Sequence, residues 1–193
     1  MRTFGLVIHI LLLALVPGTV SAQSGWDPLT GVPQLVAWFS RLNEQVDKVV
    51  VAEKRGQLMR AVDRLRKDLY ALEADARVLQ DSIPDSVPNL DERNYLERLA
   101  RELQETVGRL TETARQIGAD LRLNEAEQVE EALTSGLRTR GAALSYFQRE
   151  LEGAEQGRWN ASNIRSRLGQ GIDAVRAAQL AVTSFRQKLS QTR

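Results

Sequence analysis

Between Leu58 and Ile83 the apolar residues fall at Leu58, Val62, Leu65, Leu69, Leu72, Ala76, Leu79 and Ile83, in steps of 4, 3, 4, 3, 4, 3 and 4. An α-helix with this spacing carries one apolar stripe along its length, and such a stripe is buried against other helices. Three later stretches have a comparable pattern. One runs through Leu96, Leu99, Leu103, Val107, Leu110, Ala114, Ile117 and Leu121. The next holds Val129, Leu133, Leu137, Leu144, Phe147 and Leu151, and the last Ile164, Leu168, Gly171, Val175, Ala178, Val182, Phe185 and Leu189. No stretch after Ala22 alternates with the period of two that a half-buried strand needs.

The stops between these stripes are equally readable. Pro84 and Pro88 end the first helix, because proline lacks a donor and restricts the residue before it. Asn89 with Glu92, and Asn124 with Glu127, have the spacing of capping boxes. Residues 153–159 form a loop, and Asn160 or Ser162 caps the last helix. Helices are therefore expected near 57–82, 90–121, 125–152 and 161–190. Matched lengths and short connections predict an all-α, up-down-up-down bundle of these four. Glycine or alanine recurs at stripe positions (Gly108, Gly118, Gly136, Gly171, Ala178), which suits close helix approach.

An additional helix is expected at 33–54, opened by Pro33 in its first turn. Its stripe is Leu35, Phe39, Leu42, Val46 and Val49, widened by Trp38 and Val50. Carried onward, that register would place Glu53 and Gly56 inside. The seam resumes instead with Val51 and Leu58, so Glu53 to Gly56 is a phase slip, either a kink or a short break.

Met1 to Ala22 reads as a cleaved secretory signal. Arg2 precedes an apolar run of 11 residues, Leu6 to Val16, well short of the roughly 20 that span hydrocarbon. Val20-Ser21-Ala22 places small residues before a cut between Ala22 and Gln23. The expectation is a secreted or periplasmic protein, with residues 23–193 as one bundle domain and 23–32 as an irregular lead-in.

Chemistry is narrowed by what the chain lacks. It has no Cys, and its one His, His9, lies in the signal. The mature part thus has no imidazole or thiolate for a Ser-His-Asp or Cys-His centre, zinc or haem ligation, or a Glu-x-x-His di-iron site. Arg2 is the only charge in the signal, so the remainder carries 25 basic and 25 acidic residues. A neutral chain has no global field to draw nucleic acid. Gly169-Gln-Gly171-Ile-Asp-Ala174 has the letters of a dinucleotide fingerprint but sits mid-helix with no strand before it. Asn160-Ala-Ser162 is a glycosylation sequon that also suits a helix cap. Lys54, Arg55, Arg60, Arg64, Arg66 and Lys67 read as a solvated face paired at i,i+4, as in Asp63–Lys67. Glu125 to Glu131 sit where a helix dipole favours anions.

No motif specifies a reaction. The expectation is a non-enzymatic module, without cofactor, metal or small-molecule substrate, that binds a protein partner or itself in an interaction, chaperone-like or assembly role. A lipid-surface role for its amphipathic helices is the alternative. The densest apolar cluster, Leu35, Trp38, Phe39 and Leu42, is the expected partner face, because aromatics are enriched at binding hot spots.

Overall fold

The computed structural model describes residues 32–50, 52–121, 150–154 and 156–191. The expected signal and Ala22–Gln23 cut, the expected lead-in, Asn124, the Glu125–Glu131 cluster and most of the 125–152 stripe lie outside the described residues. Those described are almost wholly helical: α1 (Val32–Val49), a 3-10 turn (Ala52–Lys54), α2 (Arg55–Ser82), α3 (Leu90–Asp120), a helical turn at 150–154, and α4 (Ala161–Gln191). Among them no strand forms, only a lone antiparallel bridge between Val50 and Leu121.

The heptad seam sits where its spacing puts it. All eight of its residues are at most 1% exposed. Each fully buried Leu side chain contributes about 1.5–3 kcal/mol relative to an exposed one. Ile83 turns extended, at φ −67° and ψ 115°, as the residue before Pro84 should. Asn89 then starts α3 with both halves of a capping box: Glu92 N–H donates to Asn89 Oδ1 at 3.0 Å, and Asn89 N–H to Glu92 Oε2 at 2.7 Å. Asn160 starts α4 by accepting from Asn163 N–H at 2.9 Å. The turn at 150–154 closes on Gly157, whose φ of +72° is left-handed. Arg158 and Gly157 donate back to the Gly153 and Ala154 carbonyls, a Schellman closure that favours glycine there.

α2 is the central helix and packs on both α3 and α4. Contacts to α3 pair Arg64 with Gln116, Asp68 with Thr113 and Asp75 with Thr106, so the two run antiparallel. Contacts to α4 pair Asp63 with Arg186, Glu73 with Gln179 and Gln80 with the Arg165 carbonyl, again antiparallel. α1 packs along α4 in the same direction. Phe39 meets Phe185, and a few residues further along both helices Lys188 Nζ donates to the Asn43 carbonyl. A helix parallel to α4 is antiparallel to α2. The expected slip at 53–56 is therefore a full reversal at residues 50–54, and α1 folds back onto the bundle.

Two core positions differ from expectation. In α3, Val107 is only half-buried and the neighbouring Thr106 takes the seam, 2% exposed. In α4, Gln179 joins the buried stripe. Both are polar and both bond across a helix interface, which is how a polar side chain is tolerated there.

Candidate interaction site

The expected partner face is spent inside the protein. Leu35, Trp38, Phe39 and Leu42 are all at most 4% exposed. Phe39 stacks edge-on with Phe185 of α4 at 5.5 Å and with Trp38 at 4.9 Å. On the α3 side Trp38 faces Gly118, where a Cβ would make an ordinary van der Waals contact with Cζ2 at 4.0 Å. No partner reaches this face while α1 is seated. The seating leaves Trp38 Nε1 and Asn43 Oδ1 buried with no hydrogen-bond partner among the described residues.

Several polar residues bind helices to one another. Glu73 of α2 accepts from Gln179 Nε2 at 2.9 Å, from Arg176 Nε at 2.9 Å and from Arg77. Burial pushes its carboxyl pKa up, but the bonds from Gln179 and Arg176 and the Arg176 charge outweigh this, leaving it below the ordinary value. Asp63 holds Arg186 through two oxygens, at 2.6 and 3.4 Å, which pushes the guanidinium pKa up. Thr106 donates to Asp75 at 2.8 Å and accepts from Arg109. The basic stretch behaves the same way: Lys54 pairs with Asp120 and Arg64 with Gln116, both across helices. Asp63 pairs with Arg186 and, at 3.9 Å, with Arg66, in place of the expected Lys67. The expected i,i+4 pair Glu73–Arg77 is present at 2.9 Å.

A different apolar surface stands at the tip of the α2–α3 hairpin. Val87 is 46% exposed and Leu90 is 71% exposed. Tyr95, further along α3, is also exposed and carries Arg98 over its ring at 5.1 Å. The loop bearing Val87 is held firmly. Trp159 Nε1 donates to the Pro84 carbonyl at 2.9 Å, Arg165 donates to Asp85 at 2.6 Å and to the Ile83 carbonyl, and Arg93 donates to the Pro88 carbonyl at 3.0 Å. From Asp81 to Glu92 the sequence holds four acids (Asp81, Asp85, Asp91, Glu92) and no cation, and all four are exposed. The tip is thus apolar and pre-ordered, with Arg165 neutralising Asp85, Arg93 beside Pro88, and Asp81, Asp91 and Glu92 giving it a small acidic excess. A count of helical stripes ignores loops, so sequence reasoning does not reach it. The available signal is Val87 and Leu90 themselves, apolar residues set among prolines and acids.

A shallow cleft of about 480 Å³ lies beside the start of α4, edged by Glu150, Glu152, Arg158 and Asn160. Arg158 bonds Gln156 on its rim. Gly169 to Ala174 lies within α4, away from any helix start. Among the described residues no group of three His, Cys, Asp or Glu gathers as a metal site, and no helix is long and apolar enough to cross a membrane. Comparison with protein-family models, with curated proteins and with solved structures returned no match in any of the three.

Proposed function

We propose that this chain is an exported, non-catalytic helical bundle that holds another protein through the tip of its α2–α3 hairpin. The observation carrying this reading is a loop tied to α4 and α3 that nevertheless turns Val87 and Leu90 to solvent. An exposed apolar pair on a rigid support loses little entropy on binding. The acids around it suit a partner segment that is apolar with flanking Lys or Arg. Export rests on the signal-like segment Met1 to Ala22, with the secreted or periplasmic space as the destination.

We propose that the 125–152 stripe completes the bundle. α3 ends beside the 50–54 reversal, where Lys54 meets Asp120, while α4 begins beside the hairpin tip, where Arg165 meets Asp85. The segment 122–149, which joins these ends in the chain, carries the apolar stripe from which the fourth helix is proposed. As a helix it covers roughly 42 Å, matching α2 at the same rise per residue. Such a helix would complete the up-down-up-down set of four that the stripes predict.

The test is a double substitution, Val87→Ser with Leu90→Ser, in the full mature chain. Both side chains are exposed, so the melting temperature should move by no more than about 3 °C, as for surface changes near 0.5 kcal/mol. Capture of partner proteins from the native envelope or medium should fall at least tenfold. Capture should also weaken as salt rises toward 1 M, where charges are screened beyond about 3 Å. Undiminished capture by the double variant overturns the reading.

A further inference from the structure

We infer that α1 can exchange between two copies of this chain, taking its α4 seat in a partner copy while the 50–54 reversal straightens into one continuous helix. The inference is independent of the hairpin tip and concerns the opposite end of the molecule.

Three observations carry it. First, the reversal carries no capping residue, and its ties to α3 are the Val50–Leu121 bridge and the Lys54–Asp120 pair. Residues 48–55 read Lys-Val-Val-Val-Ala-Glu-Lys-Arg, with no Pro, Gly, Asn, Asp or Ser. The starts of α3 and α4 use dedicated caps at Asn89 and Asn160. Here the cap residue of α2, Lys54, is itself in helical conformation (φ −96°, ψ −6°) and makes no side-chain cap bond. A 3-10 turn runs straight into α2. Straightening this corner sacrifices no capping interaction and gives up the lone Val50–Leu121 bridge; Ala52, Glu53, Lys54 and Arg55 favour helix, while the β-branched Val49 to Val51 tolerate it less well.

Second, among the described residues α1 is seated chiefly on α4, with its substantial helix contacts made there and not on α2. The α1 face that docks is therefore the same whichever copy supplies it. Exchange of an identical element preserves every such contact and changes only the hinge.

Third, the directions close. α1 runs parallel to α4 and antiparallel to α2, so its C-terminal end lies at the same end of the bundle as the start of α2. Extended straight from α2, α1 leaves through that end. It enters a second copy placed end to end with its N-terminus leading, in the direction the seat requires. The 18 residues of α1 reach roughly 27 Å, which covers the seat it occupies on α4. The result is a closed two-fold dimer in which each copy completes the other, without an open chain of copies.

The absence of Cys makes the test clean. Glu44→Cys and Lys188→Cys are made in separate full mature chains, since Lys188 Nζ reaches the carbonyl next to Glu44. The two variants are mixed, unfolded, co-refolded at high concentration and treated with a bismaleimide. Exchange predicts a cross-linked species of two chains, and a dimer mass by light scattering. Inserting Gly-Asn-Gly between Val51 and Ala52 relaxes the reversal. It should return the protein to one chain, with the two-chain cross-link lost and the melting temperature nearly unchanged. A wild-type chain that stays monomeric up to millimolar concentration overturns the inference. So does a dimer without the 44–188 cross-link, or an insertion variant that still exchanges.

Discussion

Gln179 shows what a single residue contributes here. It is a buried amide in an otherwise apolar stripe, and its Nε2 reaches both the Leu69 carbonyl, at 3.3 Å, and Glu73. Sliding α4 by one turn along α2 would strand both groups, so the pair fixes register where apolar contacts alone are permissive. Gln179→Leu should cost about 1 kcal/mol, the net worth of a typical hydrogen bond, because Glu73 keeps its two arginine donors. The pH dependence has a definite sign. The pKa of Glu73 is lowered on folding, so its stabilisation is fully present above the ordinary carboxylate value of 4.5. It is lost as pH falls through the lower folded value. Urea melts from neutral pH down to about pH 3 should show a loss that is smaller in Glu73→Gln, a variant with no proton to take up there. Equal slopes in the two proteins would remove Glu73 from the account. Neither Gln179 nor Thr106 was legible in the sequence. A stripe is read by apolarity, so Val107 outscores Thr106, and only the Asp75 and Arg109 partners from outside the stripe explain the choice.

At the scale of elements the spacing speaks clearly. The predicted bounds of α2, α3 and α4 fall within two residues of those observed, because Pro84, Asn89 and Asn160 act locally and tertiary contacts need not override them. Leu69→Ala, a fully buried seam position, should cost about 2–5 kcal/mol. Arg66→Ala, whose ion pair is long at 3.9 Å and largely solvated, should stay within about 0.5 kcal/mol. Chemical denaturation of the two variants separates them, and equal costs would undo the seam assignment. The direction of α1 was not legible. A phase slip reports that a stripe has rotated about its axis, and says nothing about whether the axis itself reverses. The reversal is decided by Phe39 finding Phe185, a partner near the other end of the chain.

For the whole molecule, the decisive question is which apolar surface remains for a partner. The Leu35, Trp38, Phe39 and Leu42 face and the Val87–Leu90 tip are both apolar in sequence, and burial separates them. Truncating Trp38 and Phe39 together to Ala should remove about 3–5 kcal/mol for each aromatic. That is comparable with the total of about 5–15 kcal/mol for an ordinary domain. It would also bare Phe185, fully buried in the intact protein. The double variant should therefore melt early, broadly or not at all, whereas Val87→Ser with Leu90→Ser should melt almost as the wild type does. Partner capture, normalised to folded protein by circular dichroism, should follow the opposite order: lost in the tip variant and retained by whatever fraction of the α1 variant still folds. A stable, soluble Trp38→Ala, Phe39→Ala protein that has lost its partner would reverse the assignment. It would mean that α1 leaves its seat to bind, and that the aromatic pair meets the partner directly.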